Sequence, residues 1–242
     1  MSHLHFVSTE KYKKRVLQLG EQKNKVYNVG SLGVENISNF KLLNKSDLQK
    51  SIKFKFAKKN LLITFHPVTL ENNTSQTQFY ELLKSLKKLR NTNLIFTMPN
   101  ADTDGRVIFK MINEFVEASP NSISFKSLGL IRYLSCIKYV DGVIGNSSSG
   151  LIEVPSFKKG TINIGDRQKG RIRSESVIDC EPNEVSIDKA IKKLYSKKFT
   201  KKISKSVNPY EKKQTSNSII KVLENVSYEN ILKKSFVDLN NS

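Results

Sequence analysis

The sequence predicts an α/β chain built around a mainly parallel sheet, and two observations carry that prediction. Short apolar runs of strand length alternate with longer segments whose apolar residues recur at three- and four-residue spacing. Polar clusters follow three of the apolar runs directly: His66 after 60–65, Asn100 after 94–98, and Asn146 to Ser149 after 141–145. Repeated strand–helix–strand units need crossover connections, which favour parallel strands covered on both faces. Ligands in such sheets bind beyond the carboxyl ends of the strands. The three polar clusters are therefore expected to converge on one edge.

The elements follow in order. Residues 4–8 read as a short strand and 10–19 as a helix capped by Thr9. A second short strand spans 26–29 and ends at Gly30. Residues 31–40, with Gly33 and several polar side chains, read as a hinge-like segment, and 46–54 as a helix. The rhythm is then regular. Strand 60–65 (NLLITF) is punctuated by His66-Pro67, and helix 77–88 sets Phe79, Leu82, Leu83 and Leu86 on one face. Strand 94–98, helix 104–117, strand 122–125, helix 131–137 and strand 141–145 follow. A helix starts within 150–157, a strand covers 161–164, and helices cover 187–194 and 214–223. The reading divides the chain into 1–36, a main domain at 37–225 and a polar, loosely attached tail at 226–242.

Composition narrows the function classes. At 242 residues and 38% hydrophobic content the chain can hold one α/β core plus a piece of another domain. It has no run long and apolar enough for a membrane span. The N-terminus has no charged-then-apolar secretory layout. Cys136 and Cys180 lie far apart, with no metal-ligand spacing, and read as free thiols of a reducing cytoplasm. The net charge of +19 points to an anionic partner. That charge is mostly lysine on helix faces and in loops, arginine is sparse, and Trp is absent. These features weigh against nucleic acid, whose readers favour arginine forks and interleaved aromatics.

Three clusters could carry chemistry. In GNSSSGLIE (145–153) a strand turns through serines into a helix, where N–H groups and hydroxyls such as those of Ser147 and Ser148 can hold an anion. Glu153 lies about one turn further on and could accept from a sugar diol. The alternative is an ordinary Ser-rich cap. His66 either donates to a phosphate or moves a proton, or is a loop histidine bonded to backbone. In INIGDRQKGR (162–171), Arg167 and Arg171, with Arg173 just beyond, could clamp a pyrophosphate or form a surface ion-pair loop. Asp102 and Asp104 read as turn residues rather than metal ligands. His3 and His5 flank Leu4 and are assigned to packing or capping.

Taken together and in order, SHLHFVSTEKYKKRVLQLGE, YNVGSLGVENI, ITFHPVT, TMPNADTDGR, GNSSSGLIEVPSF, INIGDRQKGR and NPY (208–210) resemble the second half of hydrolysing UDP-N-acetylglucosamine 2-epimerases of the sialic- and legionaminic-acid type. The resemblance implies a GT-B-type architecture, in which 37–225 is a Rossmann-like UDP-binding domain and 1–36 the end of a mostly missing N-terminal Rossmann-like domain. It places His66 near the pyrophosphate and reacting sugar, Asn100 beside the nucleotide, Ser147 and Ser148 on phosphate, Glu153 on the ribose hydroxyls, and Arg167 in the same site. The implied reaction removes the C2 proton as UDP leaves C1, then adds water to the 2-acetamidoglycal. The products are N-acetylmannosamine and UDP. A diacetylbacillosamine nucleotide is the alternative substrate. No metal or other cofactor is implied. On this resemblance the chain alone is expected to bind a UDP-sugar and turn over little, and the partners left open are a separately encoded N-terminal half and a second copy. One departure is local: Tyr210 is followed by Glu211, Lys212 and Lys213, where the family has glycines.

Overall fold

The computed structural model describes residues 2–67, 74–99, 103–227, 229 and 233–238. The chain forms two compact units: Met1–Asn39 with Pro209–Ser242, and Phe40–Asn208. The first unit opens with strand β1 (His5–Val7), helix α1 (Glu10–Leu17) and strand β2 (Val26–Asn28). Thr9 caps α1 as its spacing predicts, accepting from Tyr12 N at 3.2 Å. The strands pair in parallel, with His5 opposite Val26. Residues expected to form a hinge-like segment are instead helix α2 (Leu32–Asn39). The Ser31 carbonyl accepts from the N–H groups of Val34 and Glu35 and starts that helix, with Gly33 inside its first turn.

The second unit is a six-stranded parallel sheet. Its elements are α3 (Lys45–Ile52), β3 (Lys59–Thr64), α4 (Thr74–Lys87), β4 (Thr92–Thr97), α5 (Thr103–Glu117), β5 (Ser122–Phe125), α6 (Gly129–Tyr139), β6 (Gly142–Gly145), α7 (Ser149–Ile152), β7 (Gly160–Ile164), β8 (Val177–Cys180), α8 (Glu184–Leu194) and α9 (Lys197–Ser204). The strand order is β5-β4-β3-β6-β7-β8. Numbered within this sheet alone it is 3-2-1-4-5-6, the doubly wound order of dinucleotide-binding folds. The direction of winding reverses between β3 and β6, where Thr64 is in register with Gly145.

Apolar alternation fixes both faces. Leu61, Ile63 and Phe65 join Phe79, Leu82 and Leu86 of α4 and Ile187 and Ile191 of α8 in one core cluster. Leu62, Ile95 and Val143, of opposite strand parity, are equally buried. Two elements escaped the sequence reading. The short edge strand β8 carries Asp179 and lacks a strong apolar run. Helix α9 buries only Phe199 and Ile203, four residues apart, and exposes Lys197, Lys198, Lys201 and Lys202. That arrangement places four of the chain's 41 lysines and arginines on a solvated helix face. Some lysines are paired: Lys84 bonds Glu81 and Glu184, Lys88 bonds Glu184 and Asp188, and Lys202 of α9 meets Glu175 at 3.2 Å. Cys136 and Cys180 are free, and burial pushes each thiol up to about 12. No helix among the described residues is long and apolar enough to cross a membrane.

The chain then returns to the first unit through helix α10 (Thr215–Asn225), which packs on α2. Thr215 Oγ1 donates to Val29 O at 2.8 Å, and Ser216 N to the Glu35 carboxylate at 3.0 Å. These bonds group residues 209–225 with 1–39, whereas the sequence reading carried the main domain to 225.

Part of the tail expected to be loose is held. Lys234 Nζ donates to Glu21 Oε1 and to Ser2 O, both at 2.6 Å, and Val237 N donates to Gly20 O at 2.8 Å. His5 Nε2 stands 3.0 Å from Glu21 Oε2, an ion-pair distance without hydrogen-bond alignment. The Lys234 hydrogen bond is the chief cause holding the Glu21 carboxyl below its ordinary range. Lys234→Ala is therefore expected to raise the hydrogen-exchange rate of the Val237 amide about tenfold or more, while the β3 and β4 amides keep their protection. Unchanged exchange at Val237 would show that Lys234 does not hold the segment.

Candidate functional site

The site follows from one glycine. Gly145 ends β6 at φ 145°, and a Cβ added there would lie 1.9 Å from Thr64 O. Only glycine lets the ends of β6 and β3 approach this closely. The next residue uses that proximity. The side-chain amide of buried Asn146 accepts from His66 N and donates to His66 O, both at 2.8 Å. One amide orientation satisfies both backbone groups, so this side chain joins the loops after β3 and β6 across the switch point.

The backbone carbonyl of Asn146 recruits a third loop. Arg167 Nη1 donates to it at 3.1 Å and Gln168 Nε2 at 2.7 Å. The loops after β3, β6 and β7 thus share one residue. His66 is half-buried. Exposed Arg167 projects from the corner, and desolvation, with the like charge of Arg171, lowers its pKa. Two guanidiniums near enough to repel make a place that an anion would stabilise. Arg173 is committed elsewhere, to Asp179 at 2.8 Å, so the three arginines do not form one clamp. A cleft of about 540 Å³ opens at the β7–β8 end, lined by Gln78, Asp166, Arg173, Asp179 and Ser186 among others; His66, Ser147, Ser148, Glu153 and Arg167 do not line it.

The serine turn comes next. Ser147 Oγ accepts from Ser149 N at 3.4 Å, and the Ser147 carbonyl from Gly150 N at 3.2 Å. Ser147 and Ser148 are half-exposed, and Ser148 makes no side-chain cap. The helix start expected within 150–157 is a single turn, Ser149–Ile152, followed by a 3₁₀ turn at Val154–Phe157 with Pro155 in it. Its support comes from packing. A Cβ on Gly150 would meet Thr161 Cγ2 at 2.5 Å, and Thr161 Oγ1 donates to Gly150 O at 2.6 Å. Asn208 clamps the far side, donating to Ile152 O and Ser156 Oγ at 2.7 Å each.

Glu153 stands half-buried at the end of that turn. Burial raises its pKa, opposed by a hydrogen bond from Ser149. The Ser149 hydroxyl in turn accepts from Tyr133 Oη at 2.8 Å. Donors at Arg167 and the serine turn, with an acceptor carboxylate at Glu153, suit an anion joined to a diol.

Of the residues singled out from sequence, His66, Ser147, Ser148, Glu153 and Arg167 lie on the loops and turn at the carboxyl ends of β3, β6 and β7. Asn100 and Asp102 lie outside the described residues. His5 meets Glu21 in the other unit. Among the described residues, no group of three or more His, Cys, Asp or Glu side chains could hold a metal ion. Sequence reasoning missed Tyr133 and Gln168. Gln168 stood inside INIGDRQKGR, but nothing local marks a buried amide. Tyr133 falls in the helix expected at 131–137, and nothing in the local sequence singles it out.

This larger unit is a doubly wound, Rossmann-like domain whose polar loops meet at the switch point. The profile of the UDP-N-acetylglucosamine 2-epimerase family matches residues 1–224. The chain belongs to that family. It is 46% identical over 241 residues to the "GDP/UDP-N,N'-diacetylbacillosamine 2-epimerase (hydrolyzing)" of Campylobacter jejuni, covering 99% of this chain and 62% of the relative. It is 42% identical over 245 residues to "Polysialic acid biosynthesis protein P7" of Escherichia coli, covering 99% and 61%. The chain thus spans about six-tenths of the length of these curated relatives. The S. aureus MnaA–UDP co-structure superposes with a TM-score of 0.72 at 16% identity, covering 99% of this chain and 64% of that one. That likeness shows the fold, which is of the GT-B type.

Removing the Asn146 amide takes away both of its hydrogen bonds to the His66 backbone. Asn146→Ala is expected to cost roughly 2–4 kcal/mol in urea denaturation, and Asn146→Asp, which keeps the acceptor, less. Gly145→Ala should cost about 3 kcal/mol or more. Wild-type stability in either alanine variant would mean that the loops are held by other contacts.

Proposed function

We propose that this chain is the nucleotide-gripping part of a hydrolysing 2-epimerase that acts on a UDP-linked 2-acetamido sugar. The observation that carries the reading is the Asn146 junction, which gathers Arg167, His66 and the serine turn at the switch point, with Glu153 one turn beyond. In this reading Ser147, Ser148 and Arg167 bind the diphosphate, Glu153 accepts from the ribose hydroxyls, and Asn100 lies beside the nucleotide. The reaction consumes water. A base takes the C2 proton, the C1–O bond breaks with its electrons leaving on UDP, and water adds to the 2-acetamidoglycal to release the C2-inverted free sugar. Arg167 and the serine donors stabilise the departing diphosphate, and His66 serves the leaving group or the proton transfer. A cytoplasmic location accords with two free thiols.

The sugar is assigned from the relatives. The Campylobacter jejuni protein is named for N,N′-diacetylbacillosamine, which supports a diacetamido sugar. A second reading, UDP-N-acetylglucosamine giving N-acetylmannosamine, is favoured by the relative named for polysialic acid biosynthesis. Product analysis with each UDP-sugar, for the chain alone and for the chain mixed with the N-terminal half of a relative, separates the two. It also tests whether catalysis needs a second polypeptide. A basic nucleic-acid module would instead bind DNA or RNA with a steep salt dependence.

Isothermal titration with UDP tests the site. Arg167→Ala should weaken binding about tenfold. Because burial holds the Glu153 pKa above the ordinary glutamate value, UDP affinity should fall as pH drops through that raised pKa, and Glu153→Gln should flatten the profile. Absence of UDP binding at millimolar concentration, or an Arg167→Ala variant that binds like wild type, would contradict the assignment.

A further inference from the structure

Beneath the serine turn runs a line of hydroxyls that the proposed function does not use. Thr97 Oγ1, at the end of β4, donates to Thr64 Oγ1, at the end of β3, at 3.1 Å. Tyr133, from α6, brings its phenol to the serine turn. Tyr133 donates to Ser149 Oγ at 2.8 Å. Glu153, four residues on, donates its N–H to Ser149 O at 3.0 Å, which sets the Ser149 hydroxyl and the Glu153 side chain on one face of the turn. Each of these hydroxyls has one proton to give and can also accept. With Tyr133 donating into the Ser149 oxygen, the single Ser149 proton is directed at Glu153. Without the phenol, a serine in a helical turn can bond back to the backbone instead.

Tyr133 stands apart from the main core cluster. The apolar burial of α6 comes from Leu134, Cys136 and Ile137. The Tyr133 ring is half-buried. What it contributes is a hydroxyl at the serine turn. A carboxylate that accepts from two adjacent hydroxyls must be held in one rotamer, and a donor bound to one of its edges does that.

We propose that Tyr133 is a positioning residue for ribose recognition: through Ser149 it fixes the Glu153 carboxylate so that both oxygens face the 2′- and 3′-hydroxyls of the bound nucleotide. The proposal rests on the reading of Glu153 as the ribose acceptor. It adds a determinant of ribose over 2′-deoxyribose that lies outside contact with the ligand.

The test compares UDP with 2′-deoxy-UDP by titration calorimetry on the whole chain and on Tyr133→Phe, Ser149→Ala and Glu153→Gln. The wild-type chain should prefer UDP about tenfold. Tyr133→Phe should lose about fivefold in UDP affinity and less than twofold in 2′-deoxy-UDP affinity, narrowing the ratio. Ser149→Ala should show the same signature without disturbing the ring, which covers the case in which the phenylalanine variant fails to fold. A structural loosening of the turn would weaken both ligands equally. Equal losses, or none, in both variants while Glu153→Gln still collapses the ratio would overturn the role of Tyr133 and leave the ribose reading standing. A wild-type ratio near one, or a ratio unchanged in Glu153→Gln, would overturn the ribose reading and the role of Tyr133 with it.

Discussion

The larger unit depends on the two-way hydrogen bond between the Asn146 amide and the His66 backbone. Strands β3 and β6 belong to opposite halves of a doubly wound sheet, and their loops would otherwise diverge at the reversal. Gly145 removes the steric barrier to their approach, and Asn146 turns the approach into a fixed distance. Because the Asn146 carbonyl also receives Arg167 and Gln168, the loop after β7 is positioned from the same point. Donors that would otherwise sit on three independent loops are brought to one corner. Preorganisation of this kind reduces the cost of gathering charge around a diphosphate.

Glu153 is held by a different route. The one-turn helix before it has little dipole, so the turn is fixed by packing of Gly150 on Thr161 and by the Asn208 clamp. A half-buried carboxylate is costly to keep ionised, and the Ser149 hydroxyl offsets part of that cost. The two ends of the site therefore have separate supports: a backbone junction under the cationic corner and a hydroxyl line under the carboxylate.

Much of this was legible in the sequence. The alternation of NLLITF, the 94–98 run and DGVIG with amphipathic helices gives the parallel sheet. Polar residues directly after those runs mark its carboxyl edge. Where the reading fell short, local pattern and tertiary context diverge. Helix α2 carries Gly33 in its first turn and is stabilised by Glu35 bonding Ser216, a residue far along the chain. Strand β8 is an edge strand with a charged residue, and half of α9 is lysine, with only Phe199 and Ile203 buried. The serine turn looked like the start of a full helix, but Pro155 and packing on β7 end it after one turn. Asn146 was visible as a polar residue after a strand. That its side chain would bond backbone rather than ligand depends on a strand eighty residues away in sequence.

The central claim is that the anion corner joined by Asn146 is where this chain meets a nucleoside diphosphate. Amide chemical-shift mapping on addition of UDP tests it most directly. The account predicts perturbations at Ser147, Ser148, Ser149, Arg167 and Gln168, with the lysine-rich helix α9 unmoved. Shifts confined to α9, with the residues around Asn146 silent, would contradict it.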